Sequence, residues 1–99
     1  MILRTVLVKL TEEWATPEGR AAVSAFGAEA LSAIPGVVDA KGLIAADAAS
    51  LASWDVMLQV RFASLEDVEV YRVHPEHLAF LNDYMSPKAA FKKVWNWRA

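Results

Sequence analysis

The 99-residue chain contains no cysteine, so disulfide scaffolds, thiolate metal sites and thiol nucleophiles are excluded. It also lacks a long apolar run. Nothing in it approaches the roughly 18 consecutive apolar residues of a membrane-spanning helix. The opening "MILRTVLVKLTEEW" is interrupted by Arg4 and Lys9 and has no signal-peptide layout, so a cytoplasmic protein with no membrane partner is expected. Positive charge is not in excess either: the formal net charge is −2. Apart from a small group at Lys88, Lys92, Lys93 and Arg98, the basic residues are scattered, which gives nucleic acid no stripe to bind. Glycine is scarce, with four in the chain, and none of them builds a phosphate loop or a G-x-S-x-G elbow. There is no HExxH, and Glu76 would project to another side of a helix from His74 and His77. Neither a catalytic zinc nor any other cofactor is expected.

What the chain has in surplus is apolar surface. Its hydrophobic content of 56% exceeds the roughly 45–50% of soluble chains. One domain over residues 1–99 cannot hide so much by itself, which predicts a partner subunit, an internal pocket, or both.

Residues 2–10, "ILRTVLVKL", read as a strand with Ile2, Arg4, Val6, Val8 and Leu10 on one face. Leu3, Thr5, Leu7 and Lys9 lie on the other. Thr16-Pro17-Glu18 has the grammar of a helix start, and the helix is expected to run to about Ala33, burying Val23, Phe26, Ala30 and Ile34. "IPGV" breaks it and leads to a strand over 37–44. The conformation of the Ala-rich 45–53 stretch is open. In "WDVMLQVRF", 54–62, Trp54, Val56, Leu58, Val60 and Phe62 alternate with Asp55, Met57, Gln59 and Arg61, a strand with one buried face. Ser64 caps a short helix, a second helical piece starts at Pro75 and runs to about Tyr84, and 91–97 closes as a strand. This order, β-α-β-β-α-(α)-β, predicts an α+β, ferredoxin-like sheet with its helices on one face. The other face, with Leu3, Leu7 and Met57, is then apolar enough to predict a homodimer formed sheet to sheet.

Taken together and in order, "VLVKL", "IPGV", "VRFASLEDVEVY" and "HPEHL" resemble the stress-responsive α/β-barrel (Dabb) family over nearly the whole chain. The resemblance implies that two ferredoxin-like protomers pair as a dimeric α+β barrel. A plant polyketide cyclase in this family closes a ring by aldol chemistry in a pocket between sheet and helices, with a His as base and a Tyr assisting. Carried onto this sequence, that implies His77 as base and Tyr71 as its helper. The cyclase has two further pocket histidines, and this chain has Arg4 and Val56 in their places.

Pro75 suits the first helical position, which puts His74 at the cap and His77 in the first turn, on a face with Phe80, Leu81 and Tyr84. Partial burial and the helix dipole are both expected to keep His77 neutral, as a general base requires. The alternative is a packed histidine that bonds a backbone carbonyl. His74 is read as a cap that also borders the ligand. Arg4, on the helix-facing side of its strand, either orients an acidic ligand, pairs with a carboxylate, or snorkels to solvent. Phe26, Phe80, Trp95 and Trp97 either line a cavity for a flat ligand or fill the core.

Three functions remain open. One is a cofactor-free cyclase-like or isomerase-like enzyme acting on a small apolar or aromatic acid. Another is a non-catalytic, stress-associated dimer. The third is a cofactor-free monooxygenase, a class that shares the dimeric fold and uses Asn and Trp side chains, here matched only by "WNW" at 95–97.

Overall fold

A computed structural model describes all of residues 1–99. Strand β1 (Ile2–Leu10) is followed by helix α1 (Pro17–Ser32), β2 (Val37–Ile44), a single turn α2 (Ala48–Leu51) and β3 (Val56–Phe62). Then come α3 (Leu65–Arg72), α4 (Pro75–Ala79), a π-helical segment Phe80–Met85 and β4 (Ala89–Arg98). The strands form one antiparallel sheet in the order β2-β3-β1-β4. This is the expected ferredoxin-like α+β arrangement. No helix is long and apolar enough to cross a membrane.

Alternation in β3 does what its period demands. Val56, Leu58, Val60 and Phe62 are sealed beneath the helices, and Met57, Gln59 and Arg61 lie on the opposite face. In β1, Ile2, Val8 and Leu10 join them in the core. Cross-strand pairing then sorts the rest. Leu3, Thr5 and Leu7 sit opposite Arg61, Gln59 and Met57 on one side and opposite Trp97, Trp95 and Lys93 on the other, all on the face the helices leave open.

Helix α1 starts as its sequence requires, with the Gly19 N–H donating to Thr16 Oγ1 at 3.0 Å and Pro17 in the first turn. Its buried stripe differs from the expected one. Gly19, Val23, Gly27 and Leu31 form its buried stripe at i, i+4 spacing, while Phe26 turns out and is 45% exposed. The reason is close approach: a Cβ on Gly27 would lie 2.8 Å from Leu58 Cδ2, so the smallest side chains mark the contact line. Phe26 lies on the flank, where its ring stacks on Tyr84 at 4.1 Å.

The 45–53 stretch resolves into α2, whose first turn is capped by Asp47 accepting from the Ser50 N–H at 2.8 Å. The helical piece after Pro75 does not stay α. It widens into a π-helix, closed by the Ser86 N–H donating to Leu81 O at 2.8 Å, a geometry often found near functional sites. Asp55 departs most from expectation. Instead of joining the polar face it is 1% exposed, accepting from the Leu10 N–H at 2.8 Å and facing Arg20 at 3.3 Å and Lys9 at 3.6 Å. Those partners tie the start of β3 to the end of β1 and to α1.

Candidate functional site

Three elements bring Arg4, Tyr71 and His77 together. Arg4 comes from the helix-facing side of β1, opposite Val60 of β3 and Asn96 of β4. Tyr71 sits in the last turn of α3 and is the largest fully buried side chain of the chain. Its ring meets Phe62 edge-on at 4.9 Å and lies 4.2 Å from the His77 ring. The Arg4 guanidinium carbon stands 6.0 Å from the Tyr71 ring centre, at the outer edge of cation–π range.

His77 is 6% exposed, and its Nδ1 lies 3.0 Å from the Arg72 carbonyl oxygen. A carbonyl can only accept, so Nδ1 carries the proton and the lone pair is left on Nε2. Burial pushes the His77 pKa below its ordinary value; the Arg72 carbonyl opposes that shift, and the positive charges of Arg4, Lys92 and Arg72 add to it. The result is a neutral imidazole at neutral pH. For Tyr71, burial pushes the phenol up to about 12 even though Arg4 pulls the other way, so it remains a protonated donor. The hydroxyl is not a sealed, unmet donor, since Arg4 Nε is the one enclosed polar side-chain atom without a partner.

Arg4 neither pairs with an acid nor snorkels free. Its Nη1 donates to Asn96 Oδ1 at 3.0 Å, and its Nε is enclosed without any partner. The sequence offers Asn96 only as the middle of "WNW"; its contact with Arg4 is made through the β1–β4 register, 92 residues along the chain. Arg72 and Lys92, the other cations acting on His77, come from α3 and β4.

The remaining sequence-derived candidates separate. His74 is the N-cap of α4, its Nδ1 accepting from the Glu76 N–H at 3.1 Å. Phe80 is buried one turn beyond His77 and stacks with Tyr84 at 5.6 Å, while Phe26 forms the exposed end of that stack. Val56 is 1% exposed and four residues along β3 from Val60, the partner of Arg4, so it does not border the His77 cluster. Trp95 is opposite Thr5 on the open face, with the whole sheet between it and His77. Both were expected beside the ligand. Strand register puts Trp95 on the bare face, and Val56 lines a cavity of about 520 Å³ away from His77.

The cavities also depart from expectation. One of about 520 Å³ opens at the bare side of the sheet, where Leu7, Leu43 and Met57 meet α2 and Trp54. Another of about 360 Å³ lies by Trp14 and Glu18 at the start of α1. Neither includes Arg4, Tyr71 or His77.

Comparison with solved structures gives the same architecture. A Dabb family protein with a ferredoxin-like fold from Mesorhizobium loti is 22% identical, with a TM-score of 0.80 over 99% of this chain and 95% of that one. An Arabidopsis thaliana protein is 16% identical with a TM-score of 0.83, covering 100% of this chain and 95% of that one. A dimeric ferredoxin-like protein of unknown function from Bacteroides fragilis is 22% identical with a TM-score of 0.75, covering 99% and 95%. Enzymes share the fold as well, among them a hydroxynitrile lyase from Passiflora edulis and a cofactor-independent oxygenase from Streptomyces nogalater, at 14% and 12% identity. Curated protein sequences return no match. Residues 2–91 match the model of the stress responsive A/B barrel domain, Dabb, and the chain belongs to that family.

Proposed function

We propose that this chain is a cytoplasmic, small-molecule-binding homodimer of the α+β barrel type, and that His77 is the general base of a cofactor-free cyclase-like or isomerase-like reaction. The observation that carries this reading is the state of His77. The Arg72 carbonyl holds Nδ1–H at 3.0 Å, and the neutral ring therefore offers Nε2 as a base. In the proposed step Nε2 takes the proton from a carbon α to a carbonyl. The electron pair moves onto the carbonyl oxygen, where the Tyr71 O–H donates to the enolate as charge develops. Arg4 steers an acidic substrate into place. Reprotonation at a different carbon, or attack of the carbanion on a second carbonyl, completes an isomerisation or a ring closure.

The bare sheet face supports pairing with a second copy. Leu43, Phe91, Trp95 and Trp97 on that face are 42 to 70% exposed, an apolar patch unusual for a monomer. Proteins of this fold from Bacteroides fragilis and Thermobifida fusca are described as dimeric.

Deuterium uptake tests the chemistry without a known product. Aromatic and polyketide-like acids with a C–H next to a carbonyl are incubated in D2O, and exchange is followed by NMR. Wild type should accelerate exchange for at least one of them, and His77→Ala should slow it by about 10²–10⁴-fold. Equal exchange in both proteins leaves a non-catalytic, stress-associated dimer as the reading.

A further inference from the structure

An arginine taken from water usually finds a carboxylate, because an unpaired guanidinium in a partly apolar setting is costly. Arg4 does not. None of the ion pairs in the chain includes it, and the Glu69 carboxylate is taken by Arg72 at 3.3 Å. Its one hydrogen-bonded side chain is Asn96, a neutral amide, which fixes the guanidinium while leaving its charge uncompensated. The enclosed Nε–H is a donor left unmet. Arg72 of α3 adds positive charge at Arg4, Lys92 of β4 adds it at His77, and Glu69 of α3 is the acid that acts on Arg4 from a distance.

We propose that Arg4, positioned by Asn96, is an oxyanion receptor, and that the ligand of the His77 site is a small organic anion presenting a carboxylate or enolate oxygen to the guanidinium. Asn96 is a positioning residue. It holds Arg4 without neutralising it, which an aspartate at the same place would do. The idea rests on the proposed site at His77 for where the ligand lies, but not on His77 being a base. An anion bound at Arg4 also cancels part of the positive field that His77 feels from Arg4, Lys92 and Arg72. Ligand binding and His77 protonation are therefore coupled, each favouring the other.

Acetate, the smallest carboxylate, is the probe, with acetamide as its neutral counterpart at constant ionic strength. Binding is followed by NMR through the Arg4 Nε–H and the His77 ring. Acetate should shift the Arg4 Nε–H in a saturable way and raise the His77 pKa; acetamide should do neither. Asn96→Asp should weaken acetate binding by about 5–150-fold, the usual span of coupling between neighbouring sites, and raise the His77 pKa with no acetate present. Asn96→Ser keeps neutrality and should leave the His77 pKa at the wild-type value, which separates charge from mere packing. In His77→Ala the Arg4 response to acetate should persist, so loss of the base does not remove the receptor. The proposal is overturned if the Arg4 Nε–H ignores acetate, if acetamide matches acetate, or if Asn96→Asp binds acetate as wild type does.

Discussion

Tyr71→Phe removes a single oxygen from the largest fully buried side chain of the protein. The ring contacts survive the change: the edge-on contact with Phe62 at 4.9 Å and the tilted contact with His77 at 4.2 Å need only the aromatic carbon frame. The hydroxyl is not among the enclosed, unpartnered polar atoms, of which Arg4 Nε is the one case, so its removal relieves no sealed unmet donor. A typical intramolecular hydrogen bond contributes about 0.5–1.5 kcal/mol, which sets the upper scale for losing the hydroxyl. Urea unfolding should therefore place Tyr71→Phe within about 1 kcal/mol of wild type on either side. Calorimetry should move Tm by no more than about 4–8 °C, the shift that 1 kcal/mol makes in a domain of this size. Tyr71→Ala is the control for the ring and should cost about 3–5 kcal/mol, as large aromatic truncations in cores do. Ligand turnover or deuterium exchange should nonetheless fall in Tyr71→Phe, because the donor to the enolate is gone. A loss of stability in Tyr71→Phe approaching that of Tyr71→Ala would refute the argument, since the hydroxyl would then be holding the fold.

The His77 ring should titrate by NMR below the ordinary value of 6.5, because burial and the neighbouring cations act on it. Below that pH the unfolded chain binds the proton more readily, so stability is full above about pH 6.5 and falls as pH drops through the folded pKa. Removing that dependence in His77→Ala checks the assignment. Met57→Glu places a carboxylate in the middle of the bare sheet face and should lower the solution mass from two chains to one by light scattering. A wild type with the mass of one chain contradicts the proposed dimer directly. Asp55→Ala strands Arg20 and the Leu10 N–H and should cost about 3–5 kcal/mol by chemical denaturation. Asp55→Asn retains an acceptor for Leu10 and should cost less, so equal losses in the two variants would show that charge plays no part.

The helix starts and the faces of the central strand were legible because their causes are local. Thr16 before Pro17, Ser64 before an acidic turn and His74 before Pro75 each cap a helix within three residues. The alternation of Val56, Leu58, Val60 and Phe62 sorts β3 with no reference to any neighbour. Local pattern failed where two periods competed. Phe26 looked like a core residue by hydrophobicity, but Gly27 allows the close approach to Leu58 and sets the contact line one step away. Asp55 looked like an outward member of an alternating strand. It lies just before β3 begins, where Lys9, Arg20 and the Leu10 N–H converge on it.

The proposed site divides the same way. Sequence by itself determined the family, the capped turn that carries His77, and the side of β1 from which Arg4 points, because these depend on neighbours within a few residues. Only the tertiary structure decided what each of those side chains meets. The Arg72 carbonyl fixes the His77 tautomer, Asn96 reaches Arg4 from the far end of the chain, and Trp95 is carried to the opposite face. Strand order and register make those contacts, and they are set by the burial of the sheet as a whole, which no single segment encodes.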